Sequence, residues 1–204
     1  MATEVRTYRE FLKKLVTQEA RPAHKFGHQP RLYELCTQIG AGVAYDDDVV
    51  FAAVWLHDLG VFEGNRPSDP DELQRWDHVA YAVKRATDLL PATDFPQQKI
   101  PQVLKVVEEH QPRDTPTSSE AVIVRDADIL EQLGAIAVLR TAAKLGNDTR
   151  FVHFADAKNY LRRQLNDLPG RLQLPRAKEL ALGRQKLLSD FLDALEAEAG
   201  DEIG

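Results

Sequence analysis

Residues 46–60, DDDVVFAAVWLHDLG, decide how the chain reads. Asp46, Asp47 and Asp48 offer an N-terminal cap and favourable charge, which predicts a helix running through Asp58. Its apolar run, Val49 to Leu56, is the longest in the 204 residues and far short of the roughly 20 that a membrane-spanning helix needs. The run closes on His57-Asp58, a histidine and a carboxylate side by side at a helix end, where both can reach one ion.

On either side, no stretch keeps the period-two alternation of a half-buried strand, so an all-α fold without a sheet follows. The pattern predicts helices from Thr3 to Glu19 and from about Gly27 to Ala44, with Pro30 in the opening turn. Further helices are expected over Trp76–Leu90 and Gln97–His110, and from Ser118 or Ser119 to Gly146 with a bend at Gly134. Phe151–Leu168 and Leu174–Ala199 complete the set, seven or more helices in all. Gly60, Gly64, Pro67 and Pro70 make 60–75 the longest irregular segment, a candidate rim or lid. No repeat, low-complexity tract or linker divides residues 1–204, which are read as one domain, a core of about 20–146 with C-terminal helices at about 151–199.

Composition narrows the chemistry. The single cysteine, Cys36, rules out an internal disulfide and a thiolate zinc clip, so any metal has to be held by nitrogen and oxygen. A net charge of −6 argues against a nucleic-acid polymer as partner, while leaving room for a local basic patch and a small phosphorylated substrate. The N-terminal MATEVRTYRE has no apolar signal core, which with the lack of a membrane span predicts a cytoplasmic protein. Oligomeric state is not readable. There is no glycine-rich phosphate loop and no Gly-x-Ser-x-Gly elbow.

Five of the six histidines fall in the first 110 residues, four of them on apolar helix faces. His28 lies with Leu32, Leu35 and Ile39; His57 with Val50, Ala53 and Val54; His78 with Ala82, Ala86 and Leu89; His110 with Val103, Val106 and Val107. One such histidine is ordinarily a core residue bonded to backbone. Four on separate helices call for a common partner, and a metal ion is the economical one. Arg125-Asp126-Ala127-Asp128 adds carboxylates in the middle of an apolar helix, where a divalent cation would offset their burial. Helical phase puts Asp126 with Ile123, Leu130 and Leu133, and Asp128 with Val124, and does not choose between them.

These phrases resemble the HD superfamily of metal-dependent phosphohydrolases, whose name is the His-Asp pair. The similarity runs through Ala23-His24-Lys25-Phe26-Gly27-His28 with Arg31, Leu56-His57-Asp58-Leu59-Gly60, His110, and Asp126-Ala127-Asp128 on to Gly134 and Arg140. It continues into Leu180–Glu196 with Arg184 and Phe191, and is closest to the branch that includes bacterial nucleotide pyrophosphohydrolases. The resemblance implies an HD-type helical bundle with His28, His57, Asp58 and Asp128 as metal ligands, Asp128 being preferred to Asp126. It also implies one tightly held ion, with His78 and His110 available for a second ion or for phosphate. Lys25 stands where relatives often carry aspartate, and Ile129 where arginine is usual.

The reaction so implied is hydrolysis of a phosphate ester or anhydride, of a nucleotide or another small phosphorylated metabolite, by metal-activated water. Nitrogen-rich ligation suits Mn, Fe, Co, Ni or Zn better than Mg. Asp58 would orient the water, Glu63 is the weaker candidate for proton transfer, and Lys25, Arg31, Arg140 and Arg184 are candidates to bind substrate phosphate. Two other readings use the same residues. A diiron oxygenase would draw on His28, His57, Asp58, His78, His110 and Asp128, and a ligand sensor would hold metal without turnover.

Overall fold

A computed structural model describes residues 7–21, 25 and 27–199. The chain is all-α: among the described residues there are ten α-helices and no strand, only an isolated bridge between Glu63 and Arg66. In chain order they are α1 (Tyr8–Glu19), α2 (His28–Ile39), α3 (Asp47–Leu56), α4 (Pro70–Gln74) and α5 (His78–Leu89). After them come α6 (Ile100–Glu108), α7 (Ser119–Glu131), α8 (Ala135–Ala142), α9 (Phe154–Asp167) and α10 (Pro175–Ala199). None of them is long and apolar enough to cross a membrane.

Helix α3 is the axis. Every residue from Val49 to Leu56 is buried, and the helix touches α1, α2, α5, α6 and α7, as a helix without a polar face has to. Asp46 caps it, its carboxylate accepting the N–H groups of Asp48 and Val49. Thr7 and Glu10 form a capping box on α1, and Asp77 and Ser118 cap α5 and α7. Helix α10 presents Ala177, Ala181, Leu188 and Leu192 inward and reaches α2, α7, α8 and α9.

Several expected boundaries move. The first helix begins at Tyr8, and the expected turn from Thr3 to Arg6 lies outside the described residues. Helix α2 stops at Ile39 rather than Ala44, because Gly40-Ala41-Gly42 turns the chain and the Val43 N–H closes on the Gly40 carbonyl at 2.9 Å. Helix α3 ends at Leu56, so His57 is its C-cap and Asp58 stands beyond it (φ −100°, ψ 10°). The helix expected over 118–146 is two, α7 and α8, since Gly134 adopts φ 79° and breaks the ladder rather than bending it. Segment 60–75 contains the short helix α4 and follows a 3₁₀ turn at Leu59–Val61.

Gly60 is where α5 meets the turn that carries Asp58. A Cβ there would lie 2.3 Å from the His78 carbonyl oxygen and 2.7 Å from its Cα, and the Gly60 carbonyl accepts the Trp76 indole N–H at 2.7 Å. Gly60→Ala should therefore destabilise the protein by roughly 1–3 kcal/mol as the backbone is forced apart. A urea unfolding curve superimposable on that of the wild type would contradict this packing.

Candidate metal centre

Two histidines meet the site by the same local device. At the end of α3 the His57 Nδ1–H donates to the Val54 carbonyl (2.9 Å), and just past α6 the His110 Nδ1–H donates to the Val107 carbonyl (2.7 Å). Carbonyls of a last helical turn lack intrahelical partners, so a histidine there is held by the turn it ends. The hydrogen bond fixes the proton on Nδ1 and leaves the Nε2 lone pair facing inward. His28 opens α2 and reaches the same state by a longer route, its Nδ1 lying 3.2 Å from Glu131 Oε2 at the end of α7.

The Nε2 atoms of His28 and His57 are buried and have no hydrogen-bond partner. Asp58 stands between them, Oδ2 3.9 Å from His28 Nε2 and Oδ1 3.7 Å from His57 Nε2. One donor atom from each of these three residues falls within 4.8 Å of the others. Asp128 Oδ1 approaches from α7 to 3.5 Å from His28 Nε2. Bonds of about 2.0–2.2 Å from nitrogen and oxygen to a divalent ion are compatible with such spacings, and two orphaned imidazole nitrogens facing carboxylates are the donor set such an ion takes.

The charges agree with that use. Burial would raise the Asp58 carboxyl, but the opposing charges, Lys25 at 3.5 Å the largest of them, hold the group well below the usual carboxylate range. Burial lowers His57 and His110, which keeps both imidazoles neutral and able to donate a lone pair. Glu131, also buried, is nevertheless held at about 2 by His28 and Arg31, so it accepts the His28 Nδ1–H as an anion.

The other candidate residues separate. Asp128, His78, His110, Lys25 and Arg140 line one cavity of about 800 Å³ together with Asp58. His78 is only half-buried there, and its Nε2 lies 3.1 Å from the Gln111 side-chain amide. Asp126 lies fully buried elsewhere, paired with Arg125 (3.0 Å) and accepting the Gln173 and Leu174 N–H groups at 2.8 Å each. It ties α7 to the segment that leads into α10.

Three of the candidate residues lie away from this cavity. Glu63 is exposed, 3.8 Å from Arg66, and does not line the cavity, because the Leu59–Val61 turn carries it away. Arg31 and Arg184 line a separate groove of about 390 Å³ behind Glu131. There Arg31 pairs with Glu131 (3.0 Å) and Arg184 donates to the Leu130 carbonyl (2.6 Å). Ala23, His24 and Phe26 lie outside the described residues. Glu131 was missed, although it sits one turn after Asp128 on a helix otherwise apolar, the signal that singled out Asp126 and Asp128.

Comparison with known proteins identifies the family and the fold. The HD domain family model matches residues 26–133. The fold is similar to that of Bacillus subtilis YpgQ in complex with ADP (TM-score 0.73, 20% identity, 96% of this chain and 100% of that one). It is also similar to a predicted HD superfamily hydrolase from an uncultured Thermotogales bacterium (TM-score 0.60, 23% identity, 94% of this chain and 91% of that one). An HD-superfamily hydrolase from Bacillus thuringiensis gives a TM-score of 0.67 at 20% identity over 95% of both chains. At these identities the likeness is one of fold. No curated protein matches the chain.

The two aspartates of α7 should respond differently to substitution. Asp126→Ala leaves Arg125 buried without its partner and is expected to cost roughly 3–5 kcal/mol, whereas Asp128→Ala should cost far less. Thermal unfolding of the two variants side by side checks this, and equal losses would refute it.

Proposed function

The chain belongs to the HD domain family, and on that footing we propose that it is a metal-dependent phosphohydrolase acting on a phosphate ester or anhydride of a small metabolite. The observation that carries the reading is the pair of unpartnered, buried Nε2 atoms facing Asp58 at one side of a cavity that also holds Lys25 and Arg140. In this reading His28, His57, Asp58 and Asp128 hold one divalent transition metal ion, Mn, Fe, Co, Ni or Zn. His78 and His110, on the same cavity, are left for a weaker second ion or for phosphate. A bound cation there would polarise a phosphoryl oxygen and bring the pKa of water from about 15.7 to about 7.

The chain's own groups do the rest. Asp58, kept anionic by Lys25, accepts a hydrogen from the attacking water and so orients it. Lys25 and Arg140 bind phosphoryl oxygens and offset the charge that builds on them in the transition state. Glu131 keeps His28 in the tautomer whose Nε2 donates a lone pair. ADP in the similar YpgQ structure supports a nucleotide as substrate. The same proposal treats residues 1–204 as one domain, because α10 packs on α2, α7 and α8.

Elemental analysis of the purified protein, followed by a screen of nucleotides and phosphomonoesters, tests the reading. Bound transition metal and hydrolysis are expected, with His57→Ala and Asp58→Ala losing both. Full metal content and turnover in those two variants would refute the site, and turnover that requires iron and dioxygen would mark an oxygenase instead. Glu131→Gln should weaken metal binding by roughly 10–100-fold while the four ligands stay in place. A metal titration of that variant with unchanged affinity would remove Glu131 from the centre.

A further inference from the structure

The cavity continues past Asp58 to a second cluster of charge. Lys144, Asn147, Asp148, Thr149 and Arg150, from the segment between α8 and α9, line its far wall, with Arg140 from α8 beside them and Tyr160 from α9. Lys144 Nζ lies 5.2 Å from the Phe151 ring centroid and 5.0 Å from that of Tyr160, so two aromatic faces hold it in place. It forms no ion pair among the described residues. The nearby carboxylate, Asp148, is engaged by Arg150 at 2.7 Å, and Arg140 faces Glu131 at 3.5 Å.

We propose that this wall is a second anion-binding subsite, in which Lys144, with Arg150, takes a phosphoryl dianion that is not the one at the metal centre. A half-buried ammonium without a counter-ion, gathered with a guanidinium group, leaves positive charge that a dianion compensates and a neutral group does not. The Thr149 hydroxyl on the same wall offers an uncharged donor to a remaining oxygen. Burial is the main cause that lowers Lys144 to about 8, and the charges of Lys25, Arg140 and Arg150 add to it against the opposing pull of Asp148. The occupant is either a distal phosphate of the substrate or free inorganic phosphate. The first case rests on the phosphohydrolase reading, the second does not.

Calorimetric titration with inorganic phosphate, before and after treatment with a metal chelator, reads the subsite apart from the metal. Phosphate should bind the chelator-treated protein, at least tenfold more weakly in Lys144→Gln and within about threefold of wild type in Lys144→Arg. His57→Ala should still bind it, which separates failure of the metal reading from failure of this one. Phosphate binding that disappears with the chelator, or that Lys144→Gln and Arg150→Gln both leave unchanged, would overturn the subsite. Titration with ADP and AMP then assigns the occupant. A Lys144→Gln loss confined to ADP identifies a distal substrate phosphate, and equal affinities for both nucleotides alongside lost phosphate binding identify free phosphate.

Discussion

The deepest constraint on this molecule is the presence of two imidazole nitrogens, on His28 and His57, that the fold buries without giving them a hydrogen-bond partner. Each such atom costs about 1–3 kcal/mol, and the surroundings keep that arrangement rather than relieve it. The other ring nitrogen of each histidine is satisfied, one by the Val54 carbonyl and one by Glu131, so neither ring can rotate to hide its free lone pair without breaking a bond. A core that holds donors in this way is complete only with a cation among them.

Much of the architecture serves that arrangement. Helix α3 is buried on all sides and ends where its last turn can hold His57, while α2 begins at His28 and α7 brings Asp128 and Glu131 up from below. Gly60 lets the start of α5 close against the turn that carries Asp58, which keeps His78 on the same cavity. Asp126 anchors the segment before α10 through two backbone amides, so neighbouring acids of one helix serve the site and the scaffold separately.

Charge is arranged in layers around this centre. Lys25 stabilises the Asp58 carboxylate, Arg31 and Arg140 stabilise Glu131, and Glu131 in turn orients His28. Two of the arginines named as candidates for substrate instead lie at the back of the site, where one pairs with a buried carboxylate and the other with a carbonyl in the last turn of α7. The cations that do face the cavity come partly from Lys144 and Arg150, on a connection whose path no helical period describes.

Local periodicity and the cost of burying polar groups are enough to read the helical class, the buried character of Val49–Leu56 and the inward-facing histidines from the residues alone. The His-Asp pair and the acidic step at Asp126–Asp128 were legible for the same reason. Which aspartate meets His28, that Glu131 supports it, that Glu63 turns away and that Lys144 joins the cavity emerge from the folded arrangement alone. Those outcomes depend on contacts between residues roughly thirty to a hundred positions apart, such as His28 with Glu131 and Lys25 with Asp58, and on a helix that broke at Gly134. Periodicity fixes which face of a helix is buried, but the neighbour that covers that face is set by packing of the whole chain.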